Sequence, residues 1–214
     1  MLSAHRKGIY QAFDPAGNVI ADERWQAVRL SRGVQIDNET ARLAPFGEPR
    51  SDAMTIQLDE QLRLLEVTVH GLFGTREGRV RVLGEGRDHA TICWRHKAQV
   101  HEKSVRWRDD IEILWNTPLC YMVMIWHSRL TPGQARNLDA ILLDAITLRP
   151  SEIRLILQRH PDERHPTRFG EKLLQHYQII NGQLSSQIWC DDDGVIYDCA
   201  AADGSGYVLT AVNV

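Results

Sequence analysis

Apolar and polar residues alternate along much of this chain with a period of two, the pattern of strands that bury one face. Leu65, Val67 and Val69 stand against Glu66, Thr68 and His70. Arg79-Val80-Arg81-Val82-Leu83 repeats the pattern, as do Val105 and Trp107 against Arg106 and Arg108, and Ile111 and Ile113 against Glu112. Turn chemistry punctuates these runs. Asp14-Pro15-Ala16-Gly17-Asn18, Ser31-Arg32-Gly33 and Arg76-Glu77-Gly78 mark turns in the first half. Asn181-Gly182, Asp192-Asp193-Gly194 and Asp203-Gly204-Ser205-Gly206 divide the C-terminal part. Asn-Gly and Asp-Gly supply the positive φ that tight hairpins need. The chain is therefore expected to be mainly β, an antiparallel sheet of successive hairpins with one apolar face.

Two segments depart from this period. Asn116-Thr117-Pro118 offers a capping side chain followed by proline, and the next eight residues, Leu119 to Trp126, are apolar on every side. This predicts a helix of about three turns from Thr117 to Ser128, buried in the concave side of the sheet. The second segment is 134–148. Leu138, Ile141, Leu142, Ala145 and Ile146 follow helical spacing, whereas Ile153, Leu155 and Leu157 alternate just beyond Pro150. The polar breaks 47–53 and 160–170 read as loops within one β-rich domain, residues 1–214. No internal repeat or low-complexity tract is present.

The chain has 214 residues, 43% of them hydrophobic and 25% charged, with a net charge of −3. That balance gives no basic footprint for nucleic acid and no polybasic segment for an anionic membrane. The eight-residue apolar run is too short for a membrane span. No apolar run follows the charges of the first eight residues, so no secretory signal is expected and the protein is placed in the cytoplasm. The four cysteines, Cys93, Cys120, Cys190 and Cys199, lack close paired spacing and are expected to be free thiols.

Candidate chemistry is sparse. His160, Asp162, Glu163 and His165, with His176 further on, are metal-ligand types without a compact spacing, and they read as an exposed loop. Asp191, Asp192 and Asp193 read as turn residues before Gly194, and Asp109, Asp110 and Glu112 as strand-end and solvent-face charges. No phosphate-binding glycine loop, nucleophile elbow or Cys/His constellation occurs, so no catalytic residue, metal or cofactor is assigned. Trp94, Trp107, Trp115, Trp126 and Trp189 would supply core area or a flat apolar wall.

From about Val105 onward the chain resembles bacterial unclosed β-barrel proteins, among them a family designated glycolipid-binding, distantly similar to periplasmic lipoprotein carriers. The residues carrying the likeness are Asp110-Ile111-Glu112-Ile113, Thr117-Pro118, Leu130, Gly133 and the stretch 188–196. The resemblance implies a long curved antiparallel sheet wrapped around a short buried helix, with an apolar cavity that holds lipid in some relatives. It also argues for strands over 134–148. On this basis the chain is expected to be a small binding protein for an apolar or amphipathic, lipid-like molecule. Trp107, Trp115, Met122 and Trp126 are the expected ligand-binding residues. Two other classes stay open: an enzyme using the same cavity with His176 or a loop histidine as acid or base, and a structural protein with a filled core, with homodimerisation along a sheet edge as an option.

Overall fold

Each short polar turn returns the chain antiparallel to itself, so β-branched and aromatic runs pair with their sequence neighbours. The computed structural model describes residues 5–42, 51–71, 76–83, 88–96, 99–182 and 184–213. The first strands are β1 (His5–Phe13), β2 (Val19–Leu30), β3 (Gly33–Arg42), β4 (Ser51–Leu58), β5 (Leu64–Gly71), β6 (Arg76–Leu83), β7 (His89–His96) and β8 (Gln99–Arg106). Strand β9 (Ile111–Leu114) leads into helix α1 (Pro118–Ser128). The remainder is β10 (Ala135–Leu143), β11 (Pro150–Thr167), β12 (Gly170–Asn181), β13 (Leu184–Cys190), β14 (Ile196–Ala201) and β15 (Gly206–Asn213).

All fifteen strands form one sheet in the order β8-β7-β6-β5-β4-β3-β2-β1-β15-β14-β13-β12-β11-β10-β9. Strand β1 pairs with β15, which joins the two halves of the meander. Every pairing is antiparallel except β9 with β10, which the intervening helix makes parallel. The sheet curves without closing into a barrel, leaving β8 and β9 as its edges. Ion pairs rather than backbone bonds bridge the opening: Lys103 on β8 reaches Glu152 on β11 at 2.8 Å, and Arg108 reaches Asp139 on β10. Charged edges of this kind also discourage pairing with another chain.

Helix α1 fills the concave side. Thr117 is its N-cap, accepting a hydrogen bond from Leu119 N, with Pro118 in the first turn where its missing N–H costs nothing. Leu119, Cys120, Met122, Val123, Met124 and Ile125 are all buried, so the helix has almost no wet face. The four cysteines are unbridged.

Several expectations need correction. Helical spacing over 138–148 yields no helix, and the strand that the resemblance implies is present over 135–143 as β10, held on one edge by β9 and on the other by β11. The apolar stretch Ala140–Leu143 is too short for spacing alone to separate a strand from a helix. Segment 160–170 is not a loop, because β11 runs on to Thr167 with a bulge between His160 and Glu163 that accommodates Pro161. Residues 51–53 begin β4, while 47–50 lie outside the described residues. Arg76-Glu77-Gly78 is already strand β6, with Gly78 paired to Val69 and Trp94. The buried leucine of β5 is Leu64, and Leu65 is 38% exposed, because a register shift at Leu58 displaces the alternation. Glu112 is no solvent-face charge: it is 3% exposed and faces α1.

Candidate functional site

Strands β2, β3 and β4 present inward rows of cross-strand neighbours. Deep in the core the row is Ala27, Ile36 and Ile56, followed by Trp25, Asn38 and Met54. Toward one end come Glu23, Thr40 and Asp52, then Ala21 with Arg42. The wall therefore turns from apolar to polar over two pairs, on the same inward parity.

The N-cap of α1 meets this wall. Thr117 Oγ1 donates to Glu23 Oε1 at 2.5 Å and accepts from Leu119 N at 3.2 Å and Asn38 Nδ2 at 3.4 Å. Thr40 Oγ1 lies 3.4 Å from Glu23 Oε2, and Asn38 Oδ1 accepts from Met54 N at 2.9 Å. Glu23 is 1% exposed. Burial raises its pKa to about 7, against the opposing pull of hydrogen bonds from Thr117, Asn38 and Thr40. Tyr10 and Tyr207 have hydroxyls pushed up first by burial and then by the Glu23 charge.

Above this network opens a cavity of about 440 Å³. Thr40, Arg42 and Asp52 line it from β3 and β4. Trp115, Tyr121, Ile146 and Tyr207 share the lining, with Phe13 and Ile20 from the β1–β2 hairpin. Tyr207 Oη donates to Asn116, 2.9 Å from Oδ1 and 3.0 Å from the carbonyl, which fixes the mouth to the start of α1. Cys199 also lines the cavity, and burial pushes its thiol up to about 12, so it supplies no ready thiolate.

Of the four expected ligand-binding residues, only Trp115 reaches this cavity. Met122 is fully buried and Trp107 is 2% exposed, both within the core. Trp126 lies at the far end of α1, donating its Nε1–H to Asp193 O at 2.8 Å. Gly194 permits that approach: a Cβ there would stand 2.5 Å from Trp126 Nε1, at a backbone φ of +79°. Sequence reasoning passed over Glu23, Thr40, Arg42 and Tyr207. A signal for the first did exist, since Glu23 shares the parity of Ala21, Trp25 and Ala27.

Two other polar clusters are fully engaged. At the far end of α1, His127 Nδ1 lies 3.0 and 3.1 Å from the Glu112 oxygens, and Nε2 contacts the carbonyl of Leu62. A doubly protonated ring would satisfy both acceptors, and although burial pulls the His127 pKa down, the Glu112 hydrogen bond and charge and the Leu62 carbonyl raise it overall. On the outer face, His160, His176 and Trp189 stack across β11, β12 and β13 at 4.6 and 4.9 Å, and His165 covers Trp189 at 4.1 Å. Glu163 accepts from Trp189 Nε1 at 2.6 Å, Gln187 Oε1 lies 2.6 Å from His176 Nε2, and Asp198 lies 2.9 Å from His165 Nε2. Among the described residues no group of three or more His, Cys, Asp or Glu is arranged to hold a metal ion, and no helix is long and apolar enough to cross a membrane.

No family model matches this sequence, and no curated protein matches it. Among solved structures, a DUF1089 family protein from Pseudomonas aeruginosa superposes with a TM-score of 0.58 at 19% identity, over 85% of this chain and 90% of that one. A β-barrel-like protein of the domain of unknown function DUF1849 from Brucella abortus gives 0.61 at 8% identity, over 98% and 97%. Neither likeness reaches the lipoprotein carriers that the sequence resemblance brought in. At these identities the likeness is one of fold, and it places this chain beside β-barrel-like proteins of domains of unknown function.

Proposed function

We propose that the protein binds a small amphipathic, lipid-like molecule in the end cavity. The observation that carries this reading is the mixed lining: Thr40, Arg42 and Asp52 from β3 and β4 share the cavity with Trp115, Tyr121 and Ile146. A volume of about 440 Å³ falls in the range of roughly 300–1,000 Å³ usual for small-molecule sites, where apolar walls carry a few placed polar groups. The apolar part of the ligand lies against Trp115 and Ile146, and its polar part against β3 and β4.

Native mass spectrometry of protein purified without detergent should reveal a co-purified small molecule. The uncharged probe N-phenyl-1-naphthylamine should brighten on binding, and Ile146→Trp, which fills the mouth, should abolish that signal. Protein that carries no ligand and binds no probe would overturn the reading.

A further inference from the structure

The polar wall of the cavity is unevenly charged. Arg42 is the lone guanidinium of the lining, and it makes no ion pair with any described residue. Asp52, the acid of the lining, is already partnered. Glu23 lies one residue behind the lining, touching it through Thr40. The groups around Glu23 are Tyr10 from β1, Asn38 and Thr40 from β3, Thr117 and Cys120 from α1, and Tyr207 from β15. None of these is a cation.

A buried carboxyl without a cation favours its neutral form, because ionisation there is not compensated. Protonated on Oε2, Glu23 can donate to the Thr40 hydroxyl while Thr117 continues to donate to Oε1. The wall then carries the charge of Arg42 with no bare negative charge beneath it. An anionic group placed in the cavity would be attracted to Arg42 and would hold the proton on Glu23 more tightly.

Resting on the ligand reading above, we propose that the cavity selects amphiphiles with an oxyanion head, a carboxylate or a phosphate, which Arg42 holds, and that the complex takes up a proton from solvent at Glu23. Guanidinium groups suit both heads through paired N–H donors. Proton uptake makes binding tighter in mildly acidic solution and weaker where Glu23 is ionised.

Displacement of N-phenyl-1-naphthylamine by decanoate, decyl phosphate and decanol tests this. At about pH 6 the two anions should displace the probe at roughly tenfold lower concentration than decanol, about the worth of one charge-assisted hydrogen bond. The tighter of the two identifies the head. Arg42→Gln should remove the advantage of the anions over decanol, each compared by its displacement of the probe from that same variant. Raising the pH to about 8 should weaken decanoate several-fold in the parent and leave its binding to Glu23→Gln unaffected, decanoate being the arm read because a phosphate head titrates in the same range. Decanol matching both anions, or an anion advantage that survives Arg42→Gln, would overturn the head-group assignment while probe binding upholds the ligand reading. An equal pH effect in Glu23→Gln would overturn the proton uptake. Failure of the probe itself to bind would overturn both proposals together.

Discussion

At the start of α1, Glu23 is buried beside a hydroxyl cap and a cavity of about 440 Å³; at its end, Glu112 is buried against His127, where the packing leaves about 10 Å³. The same helix thus seals one carboxyl with a cation and leaves the other without one. The Glu112–His127 end is matched in charge and in hydrogen bonds, and its space is filled. The Glu23 end is matched in neither charge nor volume. Unmatched burial costs stability unless something else requires it, so the open end is where a ligand is expected and the closed end is where the fold is fastened.

The two ends also divide the pH range. Glu23 binds its proton more tightly folded, with a value of about 7, than unfolded, near 4.5. Its contribution is therefore full below 4.5 and is lost as pH rises toward 7, a change of about 3 kcal/mol at 1.36 kcal/mol per unit. For His127, burial pulls the pKa down, but the hydrogen bond and charge of Glu112 and the Leu62 carbonyl outweigh it and hold the ring above its ordinary 6.5. That contribution is full below 6.5 and is lost as pH rises through the raised folded value. The two windows adjoin, and both weaken the protein as the solution becomes more alkaline.

The strongest break in the comparison is a third carboxylate midway between the ends. Met122→Asp places a charge at a fully buried position of the hydrophobic core, and no folded protein should be detectable by thermal unfolding, while Met122→Ala should cost about 2–5 kcal/mol. A Met122→Asp protein of parental melting temperature would mean that α1 is not buried. Next in size is Glu112→Gln, which leaves a buried imidazolium without its anion. Urea unfolding at about pH 5.5 should record a loss of about 3–5 kcal/mol, with most of it recovered in coupling when His127→Gln is added.

Glu23→Gln should act in the opposite sense. It should leave stability unchanged at about pH 4 and raise it by up to about 3 kcal/mol at about pH 8, because the amide never ionises. A loss at the higher pH would show that the ionised carboxylate is what the network requires. The smallest stability effect is expected of Ile146→Trp. Ile146 is 53% exposed, so the melting temperature should barely move, within about 0.5 kcal/mol, while probe binding disappears. A variant that binds probe normally would place the ligand elsewhere.

The resemblance indicated a curved sheet around a helix, and the turns at Asp14, Ser31, Asn181, Asp192 and Asp203 gave five of the hairpins between described strands. The candidate site was legible only at Trp115. Tryptophans near a helix were easy to notice, whereas the residues that give the cavity its mixed lining are common ones on ordinary strands. Glu112 shows the limit well: its alternation with Ile111 and Ile113 marks it as wet, yet it is buried because α1 brings His127 onto that face.

Local backbone chemistry is what the sequence determined by itself. Period-two runs, Asn-Gly and Asp-Gly turns and the Thr117-Pro118 cap act within a few residues of one another, so each is readable where it stands. Which polar groups meet was decided by the tertiary structure. Glu23 and Thr117 are 94 positions apart and touch only because the sheet curls around α1. Segment 135–143 is a strand because β9 and β11 occupy both of its edges. Contacts of that range depend on how the whole sheet curves, and no short window of sequence contains that curvature.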